Sequence, residues 1–167
     1  MVDRVTAQAS NAALFVVFNV GSGAGKAADV RTAIENGCAA AGRELHLMSV
    51  DDPQRLGAIA AEAVKRAQDC GGIVVAAGGD GTINAVAQAV LPSGCAFGVL
   101  PQGTFNYFSR THNIPFDTAQ ALQIVAHRLC RQVAHRQYAL DAGNRFDRRL
   151  RHGAIHVHQR IGHVAAR

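Results

Sequence analysis

The chain has 167 residues, 49% of them apolar, and a formal net charge of +5 from seventeen Lys/Arg and twelve Asp/Glu. That length buries a core without disulfide staples, no apolar run approaches the roughly 20 residues of a membrane helix, and Met1 to Asn11, with Asp3 among them, lacks the pattern of a secretory signal. The cysteines, Cys38, Cys70, Cys95 and Cys130, have neither CxxC nor metal-ligand spacing and read as reduced, mostly buried thiols of a cytoplasmic protein.

Ala13 to Phe18 is a short continuous apolar run, as expected of a strand covered on both faces. It leads into a glycine-rich loop, Asn19-Val20-Gly21-Ser22-Gly23-Ala24-Gly25-Lys26. Ala27 to Ala41 reads as a helix, with Val30, Ala33, Ile34 and Cys38 on one stripe and Gly42 as its stop. Leu45, Leu47 and Val50 mark a second strand, and Asp51-Asp52-Pro53 is a capped helix start. In that helix Leu56, Ile59, Ala60, Ala63 and Ala67 form the buried face, with Glu62, Lys65, Arg66 and Asp69 toward water. Gly71-Gly72 ends it. Ile73 to Ala77 is the third strand and runs straight into Gly78-Gly79-Asp80-Gly81-Thr82, from which a helix with Thr82, Ile83, Asn84, Ala85 and Val86 in its first turns departs, ending near Leu91 to Gly94. Cys95 to Leu100 is a fourth strand, followed by the turn Pro101-Gln102-Gly103-Thr104 and a helix around Phe105 to Arg110. After Ile114-Pro115, Asp117 or Thr118 caps a last helix with Leu122, Val125 and Leu129 on one side. Strands alternating with helices predict an α/β fold with an open, mostly parallel sheet and helices on both faces. The glycine-rich loops then lie at strand C-terminal ends, the edge where such sheets bind ligands.

The loop after the third strand carries the chemistry. Its glycines allow positive φ and let a bulky anion touch the main chain, while the following helix aims unpaired N–H groups and a positive dipole end at the same space. A tight turn alone would explain the glycines but neither Asp80, a carboxylate suited to the metal side of a phosphate, nor Thr82 and Asn84 on the next turn. The first loop is no Walker A loop, since Ala27 follows Gly25-Lys26 and Val20 stands at the required glycine, and Gly21-x-Gly23-x-Gly25 is not the dinucleotide spacing. Alone it reads as a flexible turn, although Asn19, Ser22 and Gly23 offer an amide, a hydroxyl and bare N–H groups. At Gly103-Thr104-Phe105-Asn106 a helix cap made by Thr104 is the competing structural explanation. His46, His112 and His127 are isolated and lack ligand spacing.

With these residues in view, Ala13 to Cys130 resembles the diacylglycerol kinase catalytic domain family, which includes bacterial lipid kinases and the sphingosine and ceramide kinases. Gly78 to Thr82 followed by Asn84 looks like the family signature, and Gly98-Val99-Leu100-Pro101-Gln102-Gly103-Thr104-Phe105-Asn106 looks like its second nucleotide loop. Asn19 to Gly23 resembles the Asn-Pro-x-Ser-Gly loop, with Val20 where proline is usual, and Tyr107 stands where many members have aspartate. The Gly-Gly-Asp-Gly-Thr element is also shared with NAD kinases and phosphofructokinases, whereas the second loop and the order favour the lipid kinases. The resemblance implies that Asn19, Ser22, Gly23, Gly78, Gly79, Gly81, Thr82, Asn84, Gly103 and Thr104 surround ATP. It also implies that Asp80 lies close to Mg²⁺ and the reacting phosphoryl group, and that a lipid hydroxyl such as that of diacylglycerol accepts the γ-phosphoryl. The partners expected on this basis are ATP and a lipid at a membrane surface, with no specific nucleic acid, and a homo-oligomer is compatible with it.

Composition changes at one point. Residues 1–130 hold nine Lys/Arg and ten Asp/Glu, whereas residues 131–167 hold eight Arg, two Asp and five of the eight histidines. The expected organisation is a nucleotide-binding domain over 12–130 and a basic tail over 131–167, disordered or foreign rather than a lipid anchor, without the second, mainly β domain in which the family carries further acidic residues. Three functions are carried forward: an ATP-dependent lipid kinase, a non-catalytic nucleotide-binding fragment of one, and an NAD kinase-like enzyme.

Overall fold

The computed structural model describes residues 12–22 and 26–128. Gly23, Leu129, Cys130 and the basic tail therefore lie outside the described residues. The sheet has four parallel strands in the order β2-β1-β3-β4, formed by β1 (Leu14–Asn19), β2 (Leu45–Val50), β3 (Ile73–Gly78) and β4 (Ala96–Pro101). The helices are α1 (Ala27–Ala40), α2 (Leu56–Cys70), α3 (Asp80–Val90), α4 (Tyr107–Thr111) and α5 (Thr118–Arg128). The expected parallel sheet with helices on both faces is what forms.

The two central strands are continuous apolar runs because both their faces are covered. Leu14, Val16 and Phe18 of β1 and Ile73, Val75 and Ala77 of β3 pack with Val30, Ile34 and Cys38 of α1 and Ala121, Leu122 and Val125 of α5. Phe15, Val17, Val74 and Ala76 face the other way, onto Ala60, Ala63, Val64 and Ala67 of α2 and Ile83, Val86 and Val90 of α3. On α2 the expected face is the one that packs, with Val64 added to it; Leu56 and Ile59, in its first turn, are partly buried against the same core. The chain enters α2 through a 3-10 turn over Pro53–Arg55. Asp52 caps that turn by accepting from the Gln54 N–H at 2.9 Å.

Helix ends follow local rules. Gly42 and Gly71, just past α1 and α2, have φ of 63° and 67°, the left-handed conformation that stops a helix. Asp117 caps α5, its Oδ1 accepting from Gln120 N–H at 2.9 Å. At the other end of α5, the Arg43 guanidinium, buried beneath the α1 turn, donates to the Ala126 carbonyl at 3.0 Å, a cation placed where the helix dipole is negative. Of the described cysteines, Cys38 and Cys95 are buried thiols, in line with the expectation of mostly buried cysteines, and Cys70 is exposed. Burial pushes the Cys38 thiol above its ordinary value, with Arg43 pulling the other way. No helix among the described residues is long and apolar enough to cross a membrane.

Two stability outcomes follow. Leu122 lies 1% exposed against Gly37, so Leu122→Ala should cost about 2–5 kcal/mol in urea unfolding. Ser109, in α4, is 0% exposed and its hydroxyl has no hydrogen-bond partner. Ser109→Ala is therefore expected to be neutral or to stabilise by about 1 kcal/mol, and a loss larger than that in the same assay would refute the assignment.

Candidate functional site

The chain leaves β1 toward β2 and leaves β3 toward β4, so the loops after the two central strands diverge and open a crevice at their C-terminal ends. The loop after β4 borders it. Register places Gly78, the last residue of β3, beside Pro101, the last of β4. All three glycine-rich loops singled out in the sequence therefore converge on one edge, apart from Gly23, which is not described.

The loops after β3 and β4 meet backbone on backbone. Gln102 N–H donates to the Gly78 carbonyl at 2.9 Å. A Cβ on Gly103 would stand 2.7 Å from the Cα of Gly79 and 2.9 Å from Oδ1 of Asn106. A Cβ on Gly78 would press into the Thr82 side chain at 2.6 Å. Gly78 and Gly103 are thus required for close approach, not for the positive φ expected from their spacing, because the glycines with positive φ among the described residues are Gly42, Gly71 and Gly94. Gly79 is extended, at φ −80° and ψ −178°, and is the N-cap residue of α3, which no side chain caps. The helix begins at Asp80, two residues earlier than the sequence pattern implied, so the amides of Asp80, Gly81 and Thr82 form its first turn. Such an N-terminus, with Gly81 exposed on it, presents donors and a positive dipole end to an anion.

Asp80 has a second duty that its sequence context did not reveal. Its Oδ2 accepts the Tyr107 N–H at 3.1 Å and its Oδ1 the Phe108 N–H at 3.0 Å, so this carboxylate caps α4 from a distance of 27 residues or more in sequence. Thr104 does not make the cap proposed for it; it is exposed, and the residue before α4 is Asn106, buried and left-handed at φ 48°. Asn106 instead accepts the Gly103 N–H on its Oδ1 at 2.9 Å, which clamps the loop after β4. It belongs to the site and was quoted in the sequence only as part of a motif; the signal that could have found it is asparagine's tolerance of the left-handed region beside a glycine turn.

Across the crevice, Asn19 Nδ2 donates to Thr82 Oγ1 at 2.9 Å, while Asn19 Oδ1 accepts the Gly21 N–H at 3.0 Å. Ser22 donates its hydroxyl to the Asn19 carbonyl at 2.7 Å. Thr82 is buried, so its hydroxyl acts as a latch between loops, whereas Asn84 is exposed further along α3. Among the described residues no group of three or more His, Cys, Asp or Glu is gathered where it could hold a metal. Magnesium, however, typically takes one or two carboxylates and completes its shell with water and substrate phosphate. Each Asp80 oxygen accepts one N–H and keeps acceptor capacity, so the donor set fits an ion shared with a nucleotide.

His112 ends α4 and lies against Phe108, with ring centroids 4.5 Å apart, and burial lowers its pKa from the ordinary 6.5.

A profile of the diacylglycerol kinase catalytic domain matches residues 13–138. The protein named Probable lipid kinase YegS-like from Klebsiella pneumoniae is 51% identical over 53 residues, covering 30% of this chain and 18% of that protein. A Staphylococcus aureus diacylglycerol kinase is 35% identical over 74 residues, covering 43% and 24%. A crystal structure of a diacylglycerol kinase from Bacillus anthracis superposes with a TM-score of 0.59 at 23% identity, covering 68% of this chain and 39% of that one, a likeness of fold. The chain thus spans less than half the length of the relatives it matches.

The loop contact gives a first expected outcome. Gly103→Ala should destabilise by about 1–3 kcal/mol, because neither the Gly79 backbone nor buried Asn106 can move aside cheaply. Gly81→Ala, whose Cβ meets nothing within 4 Å, should keep or slightly raise the melting temperature; equal losses in both would refute the distinction. The second concerns pH. Because His112 binds its proton less readily folded than unfolded, its contribution is intact above the unfolded value and declines as pH falls from 6.5 toward the lower folded value. His112→Gln should flatten that part of the stability–pH curve, and an unchanged slope would refute it.

Proposed function

The chain belongs to the diacylglycerol kinase catalytic domain family, and from that premise we propose that it binds ATP at the crevice and serves transfer of the γ-phosphoryl group to a lipid hydroxyl, diacylglycerol being the first candidate acceptor. The observation that carries this reading is the uncapped N-terminus of α3, opening beside two glycine loops in backbone contact, with Asp80 in its first turn.

Phosphoryl transfer asks a protein for position and for neutralised charge more than for covalent chemistry. The first-turn amides of α3, together with the bare backbone at Gly81 and Gly103, are the groups that would receive phosphate oxygens. Asn19 and Thr82 act on them indirectly, by fixing the first loop to α3 at 2.9 Å. Ser22 and Thr104 border the same edge and would contact the nucleotide outside its phosphates. Asp80 would hold Mg²⁺ together with those phosphates; when bound, the ion neutralises charge on the transferring group. Tyr107 supplies no carboxylate where many relatives have one, so Asp80 carries that task without a neighbour at this position.

The nucleotide-binding domain is assigned to residues 12–130, and the acceptor's position is left to a membrane surface, with the chain peripheral at its cytoplasmic side. A nucleotide-binding chain without transfer is the second reading; it is favoured by Tyr107, which offers no second carboxylate beside Asp80.

The deciding assay is transfer of labelled γ-phosphate from ATP with Mg²⁺ to diacylglycerol in mixed micelles, alongside ATP binding by calorimetry. Transfer that Asp80→Ala abolishes is the expected result. That variant should also lose about 1 kcal/mol of stability, since α4 loses its cap. Gly81→Ala should weaken ATP binding by about tenfold with the fold intact, because its Cβ enters the space an anion needs. ATP binding without transfer in the parent chain would establish the second reading, and phosphorylation of NAD in place of lipid would overturn both.

A further inference from the structure

Among the described residues, the large apolar side chains that stand well out in solvent are Phe105 at 63%, Tyr107 at 61% and Phe116 at 52% of full exposure. All three fall on the segment between the second glycine loop and α5, which contains α4. They are organised into one patch. The Phe105 and Tyr107 rings stack with centroids 5.7 Å apart and planes 7° from parallel. Arg110 donates from Nε to the Phe105 carbonyl at 2.9 Å, and its guanidinium lies 5.4 Å from the centre of the Phe116 ring. Scattered exposed apolar residues need no explanation, but a clustered aromatic patch bound together by one cation does.

Charge narrows the choice of occupant. From Gly103 to Phe116 the chain has Arg110 and His112 and no Asp or Glu, and Arg110 is in no ion pair among the described residues. The surface is apolar and aromatic with a positive centre. A second copy meeting it about a two-fold axis would set Arg110 against its own symmetry mate. A bilayer surface has the complementary chemistry, in which aromatic rings settle at headgroup level with the phenol hydroxyl toward water and a guanidinium pairs with lipid phosphate.

We propose that Phe105, Tyr107, Phe116 and Arg110 form the face by which this protein docks on an anionic lipid surface. The inference rests on the lipid-kinase reading of the neighbouring site and adds which face meets the bilayer. The connection between the two is direct: the patch includes Tyr107, whose amide the Asp80 carboxylate holds. A docked α4 therefore fixes the phosphate-receiving edge relative to the headgroup layer, where an acceptor hydroxyl resides.

The test is co-sedimentation of the full chain with vesicles of phosphatidylcholine, alone and mixed with phosphatidylglycerol. The parent should sediment with the mixed vesicles, and the combined variant Phe105→Ser, Tyr107→Ser, Phe116→Ser should bind them about tenfold more weakly or worse. Arg110→Gln should remove about fivefold of the preference for the anionic vesicles. ATP affinity by calorimetry is expected to stay within twofold, about the error of such a comparison, in the combined variant. Should that variant unfold early, Tyr107→Ser alone, at an exposed ring, decides the matter in the same direction. Equal vesicle binding by parent and variant would overturn the proposal. So would light scattering that finds a dimer in the parent and a monomer in the variant without change in vesicle affinity. Docking is measured without turnover. A chain that docks through these residues but transfers nothing leaves this surface standing and removes the kinase reading; one that phosphorylates a short-chain soluble acceptor and ignores vesicles does the reverse.

Discussion

The structure depends on one close approach, that of Gly103 to Gly79, where two loops from neighbouring strands touch without an intervening side chain. The Gln102 N–H to Gly78 carbonyl bond closes this contact on one side, and Asn106 closes it on the other by accepting from Gly103. Any Cβ at Gly103 separates the loops. Everything that gives the edge its chemistry, including the uncapped start of α3 and the placing of α4, is built on loops held this close.

The sheet supplies the approach. Parallel strands end on a common edge, and the order β2-β1-β3-β4 sends the loops after β1 and β3 in opposite directions, leaving room between them. The side chains then tie the loops to one another. Asn19 holds Thr82 across the crevice, and Asp80 spans from α3 to the N-terminus of α4. Asp80 therefore has two coupled tasks. Under the proposed reading, a cation drawn to its carboxylate would act on the same oxygens that anchor α4, so occupancy of the proposed nucleotide site and the hold on the aromatic face would share one group.

The fold was legible in the sequence because its signals are local and repeated. Apolar runs such as Leu14 to Phe18 and Ile73 to Ala77 have no polar alternation, which only strands buried on both faces can sustain. Gly42 and Gly71 marked helix ends through their left-handed backbone. The site was legible as a set of loops but not as a geometry. Spacing could not distinguish a glycine needed for φ from one needed for contact, as Gly78 and Gly103 are, since the neighbour that excludes the Cβ is remote or lies in the next turn. Nor could it show that α4 takes its cap from Asp80 rather than from Thr104, because such a cap crosses between strands.

The central claim is that the loops after β1, β3 and β4 form a single nucleotide-binding floor, with the start of α3 and Gly103 receiving the phosphates. The most direct measurement is a titration of the ¹⁵N-labelled chain with ATP and Mg²⁺, following backbone amide resonances. The account predicts that the amides of Asn19 to Ser22, Gly79 to Thr82 and Gly103 move together along one binding curve while those of α2 stay in place. Shifts spread over α2, or confined to one of the three loops, would contradict it.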